Sequence, residues 1–230
     1  MIISIDGPAG AGKSSVSRAV ARHLGFSCLD TGAMYRCVAW AALAEGIELS
    51  STQAIARLAV KCNISFVYNE EDPRPCGVKV NGIDVTKAIR TAAVDGAVSL
   101  VAALPEVRKT LVAKQRTLAK NGNFVVEGRD IGTAVFPDAD LKIYLNASQT
   151  ERAKRRVSQN EHTHLGSTNF NKVLQSIKKR DEIDSNRATN PLKPASDAVQ
   201  IDSTGRSIGQ IVGRICSLAK ERGLIDGNIS

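Results

Sequence analysis

Residues Gly7-Pro8-Ala9-Gly10-Ala11-Gly12-Lys13-Ser14 satisfy the spacing G-x-x-x-x-G-K-[ST] at every position. Each residue type in that order has a physical reason. The glycines let the main chain curl until successive N–H groups converge on an anion. A helix starting near Lys13 would aim its positive end at the same point. Lys13 is spaced to reach the β- and γ-phosphates of a nucleotide, and the Ser14 hydroxyl to ligate Mg²⁺. Such a loop needs an apolar strand before it, and Ile2, Ile3 and Ile5 supply one. ATP is therefore expected on residues Gly7 to Ser14 and the adjoining Ser15.

Three more compact apolar runs follow, Phe124–Val126, Leu141–Leu145 and Ala198–Ile201, with Phe26–Leu29 a weaker fifth strand. Helical patterns separate them, among them Pro105–Ala119, Thr150–Gln159 and Phe170–Asp184. Strands that are apolar throughout, alternating with helices, predict an α/β fold with a parallel sheet covered on both faces. Ligands then collect at the carboxyl ends of the strands. One segment breaks the rhythm. From Asn63 to Val85 there is no helical period, and Val78 and Val80 alternate around Asn81-Gly82 towards Ile83 and Val85, a hairpin pattern. That segment reads equally as an elaboration of a substrate domain or as a surface hairpin.

Composition narrows the partners. The 230 residues carry a net charge of +8, which calls for an anionic ligand, yet aromatics make up only 4%, so stacking platforms for single-stranded nucleic acid are scarce. The basic residues also alternate with acids, as in KKRDEIDSNR (178–187), which favours a small polyanion. The five cysteines, Cys28, Cys37, Cys62, Cys76 and Cys216, form no C-x-x-C pair and suggest a reducing compartment with mostly buried thiols. No basic, apolar leader pattern opens the chain and no apolar run approaches membrane-spanning length, so a cytoplasmic protein without a membrane partner is expected. Nothing demands an oligomer, and a monomer is expected.

Further candidate site residues lie after the strands. Asp30-Thr31-Gly32 opens a helix with Thr31 as the expected N-cap, which puts Arg36 about one turn on, in reach of a second phosphate. Glu127 closes an apolar strand, where an acid can orient Mg²⁺ or its waters, and Arg129 and Asp130 follow at the ligand edge. Phe170, Val173, Leu174 and Ile177 form a core-facing stripe that continues as Arg180, Asp184 and Arg187, so these charges should emerge into a cleft. Arg152, Lys154, Arg155 and Arg156 open another helix, followed by a polar stretch, 158–171, suited to a mobile lid that excludes water. His162 and His164 within it read as surface residues, and the last residues after Leu224 as fraying. The absence of an N-K-x-D base-reading motif disfavours a GTPase. On these residues alone, a kinase of another small acceptor (UMP, shikimate or gluconate) and a nucleic-acid-binding ATPase stay open.

The landmarks IDGPAGAGKS (5–14), LDTGAMYR (29–36), AIRTAAVDGAVSLVAALPEVR (88–108), EGRDIGTAVFPDA (127–139), KRDEIDSNR (179–187) and IDSTGRSI (201–208), with the hairpin insert, occur in the order found in bacterial-type cytidylate kinases. The chain resembles that family along nearly its whole length. The resemblance implies a five-stranded core (residues 1–30, 101–150 and 166–230), a CMP-binding domain (31–100) with a small β-insert at about 63–85, and a short lid (151–165). It implies transfer of the γ-phosphate of ATP to CMP or dCMP, with Mg²⁺. Asp130 with Thr31 would accept from the cytosine amino group, and Ser99 and Arg108 would donate to its ring acceptors. Asp184 with Arg180 would bind the sugar hydroxyls. Arg36, Arg129 and Arg187 would clamp the CMP phosphate, Arg155 would stabilise the transferring group beside Lys13, and residues 201–208 would border the adenine. Thr31 and Glu127 depart from the serine and aspartate found in some members.

Overall fold

Strand β1 (Ile2–Asp6) sends Ile3 and Ile5 to one face and Ser4 and Asp6 to the other, and all four are buried. The computed structural model describes residues 1–69, 72–163 and 166–225. After β1 and the glycine loop come α1 (Lys13–Leu24), β2 (Ser27–Asp30), α2 (Thr31–Ala44) and α3 (Thr52–Lys61). Three strands then form the insert, β3 (Ile64–Asn69), β4 (Asp72–Val80) and β5 (Ile83–Asp84). Helices α4 (Ala92–Ala103) and α5 (Pro105–Leu118) lead to β6 (Phe124–Gly128), a π-helical turn (Ile131–Val135) and β7 (Leu141–Asn146). The chain ends with α6 (Gln149–Thr163), α7 (Phe170–Asn186), β8 (Val199–Asp202) and α8 (Ile208–Glu221).

The main sheet has the order β2-β6-β1-β7-β8, parallel throughout. Its register pairs Asp6 with Gly128 and Asp30 with Glu127, so three strands end at one level and deliver their loops to one edge. The architecture matches the expected five-stranded parallel sheet flanked by helices. One core forms on the α1 and α8 side, where Val16 and Val20 meet Ile3, Ile143, Ile211 and Ile215. Helix α8 is aimed by a capping box in which Ser207 and Gln210 satisfy each other's backbone N–H. A second core joins α2, α3, α4 and α5 to the insert through Met34, Val38, Ile55, Val80, Val98 and Leu111.

The insert is the expected antiparallel sheet, with three strands. Asn81 (φ 51°) and Gly82 (φ 85°) both occupy the left-handed region that a two-residue hairpin turn requires. Its far end is tied to the first core. Arg18 on α1 donates to both oxygens of Asp72 at 3.1 and 2.5 Å, and the Tyr68 hydroxyl donates to the Cys28 carbonyl at 2.9 Å. The insert thus braces α2 and α3 against α1 and β2.

Several elements differ from the sequence expectation. The N-cap of α2 is Asp30, whose Oδ1 accepts from the Ala33 N–H at 3.1 Å, while the Thr31 hydroxyl donates to the Glu127 carbonyl at 2.8 Å. Asp30 holds the capping position because its backbone is extended and Thr31 is already the first helical residue. Helix α6 continues to Thr163, so the first residues of the polar stretch are helical, not loop. Phe170 stands at the start of the stripe but is exposed, since the first turn of α7 overhangs the core that Val173 and Ile177 enter. His162 is exposed on α6, and His164 lies outside the described residues. Leu224 and Ile225 pack against the first core, and residues 226–230 lie outside the described residues. Cys28, Cys37 and Cys62 are buried, but Cys76 is exposed. No helix among the described residues is long and apolar enough to cross a membrane.

Candidate active site

The loop after β1 is built around backbone that only glycine tolerates. Gly7 has φ 150°, and a Cβ there would overlap the Leu145 carbonyl oxygen. Gly12 (φ 94°) caps α1 with no side-chain hydrogen bond, which leaves the first-turn N–H groups of α1 available to an anion. Lys13 is buried and its Nζ donates to the Pro8 carbonyl at 2.8 Å, closing the loop on itself. Ser14 Oγ donates to Glu127 Oε2 at 2.9 Å.

This loop floors a cavity of about 590 Å³ with a formal excess of positive charge: Lys13, Arg36, Arg90, Arg129, Arg155, Arg156, Arg180 and Arg206 line it against Asp30 and Glu127. Burial and the Arg129 charge hold Lys13 below the ordinary lysine range. Burial and the Asp30 charge hold Glu127 above the ordinary carboxylate range. Burial likewise lowers Arg180 to about 10, helped by Arg129. Lys13 and Arg180 are cations crowded out of water beside another cation, a state that a polyanionic ligand relieves, whereas Glu127 is an acid crowded out of water beside another acid.

Two arginines of α6 tie the helix hairpin to the loop. Arg152 is almost fully buried; it donates to Ala9 O and Ala147 O at 3.0 Å each and grips both oxygens of Asp181 on α7 at 3.1 and 2.6 Å. Arg155 donates to Ala11 O at 3.3 Å and to Ser203 Oγ and O at 3.0 and 2.7 Å. Ser203, Arg206, Ile208 and Ile211, after β8, form the wall of the cavity there.

A second pocket of about 70 Å³ adjoins the first, and the two share Lys13, Asp30, Gly32, Glu127, Arg129 and Arg180. Its lining brings together Thr31, Ser99, Arg108, Asp130, Asp184 and Arg187 from five separate stretches of chain. Asp130 is buried between two guanidinium groups: Arg108 donates to its Oδ2 and Arg187 to its Oδ1 at 3.1 Å. Arg108 also donates to Ala102 O at 3.1 Å and lies 5.3 Å from the Tyr35 ring centroid. Arg129 Nε donates to Asp184 Oδ2 at 3.0 Å, with Arg180 Nε 4.0 Å from the same oxygen. Burial works to raise the Asp184 carboxyl, and the charges of Arg129 and Arg180 overcome it, leaving it below its ordinary value.

Residues 3–221 match the family described as Cytidylate kinase. The chain belongs to the cytidylate kinase family. A cytidylate kinase from Saccharophagus degradans (strain 2-40) is 45% identical over 97% of this chain and 99% of that one. The cytidylate kinase of Shouchella clausii (strain KSM-K16) is 48% identical over 95% and 96% of the two chains. Among solved structures, an uncharacterized protein from Eubacterium ventriosum ATCC 27560 superposes with a TM-score of 0.50 at 12% identity, covering 96% and 98% of the two chains, a likeness of fold alone.

Within this cytidylate kinase fold the candidate residues read from the sequence, Gly7 and Pro8 apart, line one or both of the two pockets. Arg36 and Arg155 face the large cavity, Arg129 and Arg180 border both, and Arg187 lines only the small one, where it meets Asp130 and not the phosphate loop. Sequence reasoning missed Asp6, Tyr35 and Asp95. Asp6 is buried and accepts from the Ile131 and Gly132 N–H groups at 2.7 and 2.8 Å, fixing the turn that follows Asp130. Burial raises its pKa to about 6 against those two bonds. The one legible sign was an acid closing an apolar strand directly before the glycine loop.

Proposed function

We propose that the chain transfers the γ-phosphate of ATP to CMP or dCMP, giving ADP and CDP or dCDP. The observation that carries this is Asp130, buried between Arg108 and Arg187 at the base of the small pocket beside the phosphate loop. An ionised carboxylate held by two guanidiniums is an acceptor only. It selects a ligand that presents a donor, and cytosine offers its N4 amino group while uracil offers an oxygen. Thr31 assists at one side, and Ser99 and Arg108 supply donors for N3 and O2. A mispaired buried polar group costs roughly 1–3 kcal/mol, which is the source of discrimination against UMP.

Asp184 with Arg180 reads the sugar hydroxyls, and Arg36 and Arg129, facing the shared space, take the acceptor phosphate. Arg187 serves by holding the Asp130 side chain in place, as its hydrogen bond to Oδ1 and its place in the small pocket support, and so departs from the phosphate role that the resemblance implies. The nucleotide triphosphate lies on Gly7 to Ser15 with its adenine towards residues 203–211.

No group of three or more His, Cys, Asp or Glu side chains among the described residues could hold a metal ion. Ser14 and Glu127, in contact at 2.9 Å, instead suit Mg²⁺ held mainly by phosphates and water, with Glu127 acting through a water. Bound there, the ion would neutralise charge on the triphosphate. The protein's own work is positioning and charge neutralisation by Lys13, Arg129, Arg155 and Arg156, with the acceptor phosphate oxygen as the in-line nucleophile. Residues 31–100 act as the acceptor-binding arm and residues 151–165 as the lid that keeps water from the γ-phosphate. We further propose a cytoplasmic monomer that acts on free nucleotides, without nucleic-acid or membrane partners.

ADP formation from MgATP, compared across CMP, dCMP, UMP and AMP, tests the reading. Turnover with CMP and dCMP and little with UMP is expected. Equal or faster turnover of UMP would overturn the role of Asp130, and no acceptor-dependent ADP would overturn the nucleotide kinase reading.

A further inference from the structure

Asp95 lies in the first turn of α4, outside both the phosphate loop and the small pocket. Its Oδ1 accepts from the guanidinium of Arg36 on α2, and the same oxygen lies 3.7 Å from Arg156 NH2 on α6. One carboxylate oxygen thus lies between two arginines that reach it from different parts of the chain, and both line the large cavity. Asp95 itself borders an adjacent cavity of about 350 Å³ that shares Arg156 and Arg180 with the large one. Arg36 is fixed from a second side by the Ile89 carbonyl at 3.0 Å.

Two guanidiniums sharing one anionic oxygen is the arrangement that a phosphate oxygen would impose. The exposures decide which anion can leave. The Arg36 side chain is 12% exposed and depends on a partner within the cleft, whereas Asp95 is 36% exposed and can turn into water at little desolvation cost. We infer that Asp95 is a resident competing anion, which occupies Arg36 and Arg156 and which the acceptor's phosphate displaces. The inference rests on the reading of Arg36 as a phosphate ligand. The other charges that bear on this group are Arg90, Arg129 and Arg180. Burial and the Arg36, Arg90 and Arg129 charges press Arg156 below the ordinary guanidinium range while Asp95 supports it, so some anion is required there.

An acceptor that must compete with a resident carboxylate binds more weakly by the fraction of arginine so occupied. Titration calorimetry of CMP and of cytidine against the wild-type chain and Asp95→Asn separates this role from a structural one. The substitution keeps shape and removes charge. The dissociation constant for CMP should fall about two- to fivefold, the range of a partly exposed ion pair, with cytidine, which lacks the phosphate, unchanged. If Asp95 served only to favour the N-terminus of α4, the melting temperature would fall and the two ligands would move together. That outcome, or CMP affinity unchanged or weakened, overturns the inference. Should the wild-type chain bind neither ligand, the functional reading fails, and titration with inorganic phosphate decides Asp95 by itself: tighter binding to Asp95→Asn supports it and equal or weaker binding overturns it.

Discussion

Asp130 shows how the placing of one side chain is decided by its neighbours. Its own chemistry is that of any carboxylate, and what fixes its position is the pair of buried guanidiniums that grip one oxygen each. Asp130→Asn leaves Arg108 and Arg187 facing a neutral amide, and breaking a buried pair in this way costs about 3–5 kcal/mol of stability. The amide can also turn its NH₂ towards a uracil oxygen. The ratio of kcat/KM for CMP to that for UMP, measured on one preparation so that the folded fraction cancels, should fall by about tenfold or more. A ratio unchanged from wild type would show that Asp130 does not read the base.

At the scale of elements, the site depends on how the α6–α7 hairpin is seated on the glycine loop. A Cβ on Gly10 would lie 3.0 Å from Arg152 Cβ, so helix and loop already touch, and Arg152 locks them by bonding Ala9 O while gripping Asp181. Arg152→Ala removes three connections at once: loop, strand end and α7. Denaturant unfolding should show a loss of about 3 kcal/mol, the lower end for breaking a buried ion pair, since Asp181 keeps some access to water. Because the loop carbonyl loses its partner, KM for ATP should rise more than KM for CMP. Equal changes in both would mean that the clamp stabilises the fold without shaping the loop.

For the whole molecule, much of the net charge of +8 gathers in one cavity. Eight basic and two acidic side chains line the large cavity, a formal excess of +6 in one concave site. Such focusing draws small anions and gives an extended polyanion no track to follow. Raising the salt to about 1 M, where the Debye length is about 3 Å, should raise KM for both nucleotides by roughly tenfold. The buried Arg108–Asp130 pair is screened far less, so the preference for CMP over UMP should survive. Loss of that preference with salt would place the discriminating charges at the surface.

Much of the fold is legible in the sequence. The glycine loop, the apolar strands and the stripe running from Val173 through Ile177 to Asp184 each follow from local chemistry: a backbone that needs glycine, a strand buried on both faces, a helix face that must leave the core. Asn81-Gly82 determines its hairpin for the same reason, since two residues with positive φ suit few side chains. Other features depend on atoms far apart in the chain. Asp30 rather than Thr31 caps α2 because the helix begins one residue earlier than expected, with Thr31 already inside it and its hydroxyl donating to the Glu127 carbonyl, 96 residues on. Arg187 turns to Asp130, and Asp95 meets Arg36 and Arg156, only once α2, α4, α6 and α7 are packed around one edge of the sheet. The sequence by itself determined the fold class, the glycine loop and the sheet edge that carries the candidate site, because short-range sterics and burial are written in neighbouring residues. Only the tertiary structure decided which arginine serves which anion, because a guanidinium pairs with whatever carboxylate the packing brings within about 3 Å.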